Sequence, residues 1–255
     1  MSFDRAAEYY DATRGIGEES MARTVELLAP ELVHRGRVLE IGVGTGQMAL
    51  PLHAASVDVI GADISAAMLE QLARKVDGRA PFPLLRADAT RLPFADASFG
   101  AAYMRWVLHL VRAWHTALGE LVRIVEPGGV VIVQLGSGSP GREGEIRRRC
   151  CDMVGVSEKP PGLNWGDIST LDGAMSALGC DLRLLGPLRD ESTERVSDFL
   201  DEVERGVYSW TWPIDEASRR ETVAAIRPWA EDRWGPLDRE ITVAHETYWR
   251  AYDVR

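Results

Sequence analysis

From residue 37 to about 135, short and nearly continuous apolar runs alternate with longer segments whose apolar residues recur at helical spacing. Five runs read as strands: RVLEIG at 37–42, VDVIGAD at 57–63, FPLLRAD at 82–88, SFGAAYMR at 98–105 and GGVVIVQLG at 128–136. Unbroken apolarity suits strands covered on both faces, so the runs predict a parallel sheet with crossover helices. Between them, 65–76 carries Ala66, Leu69, Leu72, Ala73 and Val76 on one stripe. A second helical pattern over 111–125 is stopped by Pro127-Gly128-Gly129.

The flanks are less regular. Residues 3–12 read as a short helix, 15–17 as a Gly-rich break, and 18–34 as an amphipathic helix. Beyond the core come a Gly/Ser/Pro-rich lead-in from 137, a short Arg-rich helix, a Pro160-Pro161-Gly162 turn and a helix ending at Gly179. A sixth strand is expected at 180–187, two or three helices over 193–235, and a long last strand over 239–254.

Composition narrows the function classes. With 255 residues, the chain suits one large α/β domain or one domain with a sizeable insertion. A net charge of −10 argues against general nucleic-acid affinity, which needs a basic surface to displace counterions. Arg142, Arg147, Arg148 and Arg149 cluster on one segment, as a local patch or as a solvated helix face. Cys150, Cys151 and Cys180 lack metal-chelating spacing and suit free thiols in a reducing compartment. There is no apolar run near the ~20 residues that span a bilayer, and the N-terminus lacks a secretory pattern, so a cytoplasmic protein without membrane partners is expected. Arginines outnumber lysines 27 to 2, a bias of GC-rich bacterial sources.

The chemistry concentrates where the first strand meets Gly42-x-Gly44-x-Gly46. Alternating glycines bring bare backbone against a ligand. Gln47 stands where a dinucleotide-binding turn carries its third glycine, and the Glu40 carboxylate beside the loop favours a cation over a diphosphate. Asp63 ends the second strand, where a carboxylate accepts from ribose hydroxyls or merely caps a helix. Asp88 and Ala89 follow the third strand, where a carboxylate and a backbone N–H can read adenine. Three acids thus end three consecutive strands at the edge where open α/β sheets bind ligands.

In VLEIGVGTG (38–46), VIGADIS (59–65), ADATRLPFADASFG (87–100) and ELVRIVEPGGVVIV (120–133) the chain resembles the class I S-adenosylmethionine-dependent methyltransferases. The likeness is to the small-molecule branch that includes the ubiquinone and menaquinone biosynthesis enzymes, and it spans roughly 37–135. It implies an α/β, Rossmann-like, doubly wound sheet of seven strands, mostly parallel with an antiparallel last strand, and a helical cap over the acceptor site. The implied division is an N-terminal helical lid at 1–36, a cofactor-binding core at 37–136, a mixed segment with cap insertions and the sixth strand at 137–235, and a last strand at 236–255. The cofactor would be S-adenosyl-L-methionine, leaving as S-adenosyl-L-homocysteine. By this resemblance Gly42, Gly44 and Gly46 face its methionine portion, Asp63 the ribose, and Asp88 with Ala89 the adenine, which Ile64 and Met68 sandwich. Glu40 polarises the amino-acid end, while Tyr10 and Arg14 of the lid close over it, the arginine pairing with the carboxylate; Tyr9 is an alternative aromatic.

Methyl transfer needs alignment and desolvation, with a base only for a protonated oxygen or nitrogen acceptor. His109, after the fourth strand, is the candidate base or a packing histidine. Met104 and Arg105 end that strand beside the transferable methyl, and Trp106 could wall a small-molecule pocket. All eight tryptophans lie after residue 105; Trp165 and Trp210 either line a site for a flat or apolar acceptor or fill a cap's own core. Two rival functions stand beside methylation: a methyltransferase fold without transfer, such as a natural-product cyclase or a binding subunit, and an NAD(P)-dependent oxidoreductase.

Overall fold

The computed structural model describes residues 3–135 and 141–255; the Gly/Ser/Pro-rich lead-in expected from 137 lies, over 137–140, outside the described residues. Seven strands form one sheet: β1 (Arg37–Ile41), β2 (Asp58–Asp63), β3 (Leu84–Arg86), β4 (Phe99–Arg105), β5 (Val125–Gln134), β6 (Cys180–Glu194) and β7 (Ile241–Val254). Their order is β3-β2-β1-β4-β5-β7-β6. The first five run parallel, and β7 joins β5 antiparallel with Val130 opposite Asp253. The expected doubly wound sheet with an antiparallel last strand is present, and the strand order reverses between β1 and β4.

Strand alternation divides the core by sheet face. Leu39, Ile41, Ala102, Met104, Val131 and Val133 pack with Leu118 and Leu121 of α5 (Trp114–Ile124) and Leu171 and Met175 of α7 (Ile168–Ala177). Val38, Val59, Ala101, Tyr103 and Ile132 pack with α2 (Glu18–Leu32), α3 (Ala49–Ala54) and Leu72 of α4 (Ala66–Lys75). Arg183 of β6 forks to Glu31 of α2 and Asp253 of β7, with N···O distances of 2.6–3.1 Å.

Four segments differ from expectation. The single helix over 3–12 is instead a 3-10 turn at Asp4–Ala6 followed by a short α1 at Tyr10–Arg14. The third strand shrinks to Leu84–Arg86, since Pro81 and Pro83 bring no N–H to the ladder. Pro127-Gly128-Gly129 sits inside β5 rather than before it, absorbed by a register shift between Phe99 and Ala101. Glycine is needed there because a Cβ on Gly129 would meet the Gly100 carbonyl oxygen at 2.6 Å. The sixth strand runs through the Gly186-Pro187 punctuation to Glu194.

Contacts divide the chain into two compact units. The first comprises Met1–Gly136, Pro161–Leu188 and Thr247–Arg255, and the second Ser137–Pro160 and Arg189–Glu246. The second unit is built on α6 (Arg142–Val154), α8 (Val196–Arg205) and α9 (Glu216–Trp234) around Ile146, Leu200, Val203 and Ile226. Its buried Arg219 donates Nε–H to the Glu204 carbonyl at 3.0 Å and Nη1–H to that of Ile214 at 2.5 Å, closing the turn between α8 and α9.

Candidate functional site

Three glycines follow β1, each at positive φ (+72° at Gly42, +52° at Gly44, +79° at Gly46), but they are glycine for different reasons. A Cβ on Gly42 would meet Val107 Cγ2 at 2.4 Å, and one on Gly46 would meet Leu72 at 2.9 Å and Leu50 at 3.2 Å. Gly46 thus lets helix and strand pack closely, the service that the sequence pattern assigned to the glycine missing at Gln47. A Cβ on Gly44 meets only the Gly42 carbonyl oxygen, at 3.9 Å, so this glycine alone among the three faces open space. Backbone and space together make Gly44 the point where a ligand can approach the turn.

The acids differ in environment. Asp63 accepts the Gly44 N–H on Oδ2 at 2.9 Å and the Ser65 N–H on Oδ1 at 2.8 Å, which leaves each oxygen further acceptor capacity. Burial raises its pKa against those two bonds. Glu40 is buried in the sheet, accepts the Tyr103 hydroxyl at 2.7 Å, and is pushed by burial up to about 8. Asp88 is exposed; its Oδ1 accepts the N–H and hydroxyl of Thr90 at 2.9 and 2.8 Å, which holds the carboxyl below its ordinary value.

The N-terminal segment is clasped to this edge by acids the sequence reading did not single out. Asp11 accepts the Thr45 hydroxyl at 2.5 Å and the Gln47 amide at 2.9 Å, and pairs with Lys75 of α4 at 2.6 Å. Burial works against it, but these partners hold Asp11 below the usual carboxylate range. Asp4 accepts the Ser65 hydroxyl at 2.5 Å while Ser65 caps α4 through the Met68 N–H. These pairings bridge 34 to 64 residues of chain, so no spacing announces them; the one local hint is Gln47 in place of a glycine. Tyr10 is brought within electrostatic reach of Arg105, Arg14 and Asp63, and burial raises its pKa. Arg14 turns Nη1 to the Thr13 carbonyl at 2.7 Å.

Past β4 the expectations divide. Met104, expected to face the cofactor, is fully buried in the core with Leu39 and Ile41, because strand alternation sends its side chain to the opposite face from Tyr103 and Arg105. Met68 is also buried, whereas Ile64 is exposed at the rim and Ala89 half-buried. Trp106 holds a left-handed backbone (φ +57°), with the Arg105 guanidinium 3.5 Å from its ring centroid. His109 and Trp165, distant in sequence, come together at 5.1 Å between centroids, because Gly162 and Leu163 donate N–H to the carbonyls of His109 and Leu108. Burial drives the His109 imidazole down to about 4, so it is neutral near pH 7. Trp210 belongs to the second unit, where it packs on that unit's core and against Tyr208.

An adenosyl ligand with a cationic sulfur and a zwitterionic amino-acid end fits this edge. Gly44 offers bare backbone, Asp63 has acceptor capacity for vicinal hydroxyls, Ile64 presents an exposed apolar surface for a flat ring, and Glu40 places a titratable carboxyl beneath the turn. A diphosphate would meet the half-buried Asp63 carboxylate and the buried Glu40 carboxyl instead.

Comparison with known proteins bears on the fold and on residues 39–133. Over 93% of this chain, the structure superposes on the YcgJ protein of Bacillus subtilis with a TM-score of 0.63 at 16% identity, covering 99% of that chain; this likeness establishes the fold. Residues 39–133 match the family described as "Methyltransferase domain". A demethylmenaquinone methyltransferase of Clavibacter sepedonicus is 34% identical over 134 residues, 51% of this chain and 55% of that protein. A malonyl-[acyl-carrier protein] O-methyltransferase of Halorhodospira halophila is 34% identical over 133 residues, 51% of this chain and 45% of that protein. The chain thus spans about half the length of the curated relatives it matches. Over residues 39–133 the chain is thus similar to methyltransferase domains, among them those of a quinone-biosynthesis enzyme and of a carrier-protein methyltransferase.

Proposed function

We propose that the chain is an S-adenosylmethionine-dependent methyltransferase acting on a small, aromatic or otherwise apolar acceptor. The observation that carries the reading is the Gly44–Asp63 junction, an open glycine whose N–H is held by a carboxylate with acceptor capacity to spare. When bound, the cofactor supplies a methyl group on a positively charged sulfur. Asp63 holds the ribose hydroxyls, Asp88 Oδ2 and the Ala89 backbone face the adenine, and Ile64 covers the ring. Tyr10 and the Asp11 clasp close the N-terminal segment over the turn and exclude water, which strengthens every polar contact beneath it.

His109 and Trp165 support an aromatic acceptor, since a ring beside the candidate base suits a flat substrate. Held neutral, the His109 imidazole is in the right state to receive a proton. An O–H or N–H acceptor becomes strongly acidic as its new bond to carbon forms, so even a weak base suffices at that moment. Relatives of equal identity carry the names of a quinone and of a carrier-protein methyltransferase, so the acceptor class rests on these side chains rather than on likeness. The buried free thiols of Cys150, Cys151 and Cys180 support a cytoplasmic site of action.

Calorimetry with S-adenosylhomocysteine against NADH, followed by methyl-labelled cofactor with phenols, amines and carboxylates, tests the reading. Binding of S-adenosylhomocysteine and label in an acceptor are expected. NADH binding alone would make the chain an oxidoreductase, and cofactor binding with no acceptor labelled across the panel would favour a cyclase or a binding subunit.

A further inference from the structure

An acidic and a basic side chain lie in one desolvated edge of the sheet without closing on each other. Glu40 of β1 pairs in register with Tyr103 of β4, and strand alternation puts Tyr103 and Arg105 on the same face, so Glu40 and Arg105 share that face. Glu40 and Arg105 feel each other electrostatically, and Arg105 also feels Tyr10 of the N-terminal segment. Yet among the described residues they form no ion pair: Glu40 is held by the Tyr103 hydroxyl at 2.7 Å, and the guanidinium lies on the Trp106 ring at 3.5 Å. Trp106 is locked in its left-handed conformation by an N–H donated to the Gln134 carbonyl at 3.0 Å, which holds this platform in place. The guanidinium makes no hydrogen bond to any described residue, although it has five N–H donors and burial lowers its pKa to about 10. A half-buried fork of donors kept on a rigid ring and apart from its nearest acid is prepared for an outside oxygen pair.

We propose that Arg105, rather than Arg14 of the lid, is the receptor for the carboxylate at the amino-acid end of the ligand. This rests on the methyltransferase reading above. It moves the carboxylate anchor from a short N-terminal helix, where Arg14 already engages the Thr13 carbonyl, to the tip of a central strand. Recognition of the amino-acid end is then built into the sheet and independent of the lid.

The test compares two ligands that differ at that end: S-adenosylhomocysteine, and 5′-methylthioadenosine, which lacks the amino acid. For R105Q, calorimetry is expected to show S-adenosylhomocysteine affinity reduced about ten-fold or more and 5′-methylthioadenosine affinity within about two-fold of the parent. R105K is expected to recover part of the loss, and R14Q to leave the ratio of the two affinities within about two-fold. Equal loss of both ligands in a folded R105Q, no loss of either, or a collapse of the ratio in R14Q instead would overturn the assignment. Failure of the parent to bind S-adenosylhomocysteine at all would sink the methyltransferase reading itself, a separate result. Thermal melts of R105Q and R105K verify folding, and the ligand ratio is read from whichever variant melts like the parent.

Discussion

The Asp63 carboxylate receives the Gly44 N–H at 2.9 Å, so the residue that ends β2 also shapes the turn that follows β1. On the proposed reading, one side chain serves both the ligand and the loop. Asp63→Ala is expected to lower affinity for S-adenosylhomocysteine by about 1.5–3 kcal/mol, the scale of hydrogen bonds to a charged group. Calorimetry measures it, and an unchanged dissociation constant would remove Asp63 from the site.

The three glycines should separate folding from binding. Gly46→Ala forces a Cβ into Leu72 at 2.9 Å as well as an unfavourable φ, and is expected to lower the melting temperature by several degrees. Gly44→Ala meets no such neighbour and bears only the conformational cost, about 1–2 kcal/mol, while its methyl group enters the open side of the turn. Its folded protein should lose cofactor affinity out of proportion to its stability. Parallel melts and titrations of both variants check this; full binding by Gly44→Ala would place the ligand elsewhere.

Asp11 ties the N-terminal segment to both the turn and α4, through Thr45, Gln47 and Lys75. Lys75→Ala removes one half-exposed ion pair, worth about 0–1 kcal/mol. Asp11→Ala removes the bonds to Thr45, Gln47 and Lys75 together, leaving, of the contacts described above, only that of Asp4 with Ser65, and should speed release of S-adenosylhomocysteine by considerably more. Stopped-flow dissociation and hydrogen exchange over residues 3–14 are the readouts. Identical release rates in parent and Asp11→Ala would show that the clasp does not gate the site.

Glu40 carries a pH dependence whose sign follows from burial. Its folded pKa of about 8 lies above its ordinary 4.5, so the folded state binds the extra proton between those values. Stability is therefore lost as pH rises through this window, and Glu40→Gln, which cannot ionise, escapes the loss. The variant should melt close to the parent near pH 4.5 and above it near pH 9, by on the order of 2–4 kcal/mol. Denaturation at a series of pH values measures the difference. A gap that stays constant with pH would return Glu40 to an ordinary titration.

The core strands and the glycine turn were legible because they are written locally: apolar runs announce strands buried on both faces, and positive-φ glycines announce a backbone that must bend or be approached. Glu40 and Asp63 were legible for the same reason, since a charge at the end of an apolar run stands out. Met104 packs in the layer shared with α5 and α7, which its place next to Arg105 did not reveal, because one residue of shift along a strand exchanges one sheet face for the other. The extension of β6 to Glu194 was masked by Gly186-Pro187, local punctuation that a neighbouring strand overrides by supplying the ladder.

By itself, then, the order of residues determined the sheet, its turn and the acids at its edge, because backbone preference and burial act over a few neighbouring positions. Only the tertiary structure decided that Asp11 clasps the turn, that His109 meets Trp165 and that Arg105 rests on Trp106 apart from Glu40. Whether two side chains meet depends on the path of the whole chain and on which face each strand presents, and neither is encoded in the spacing between them.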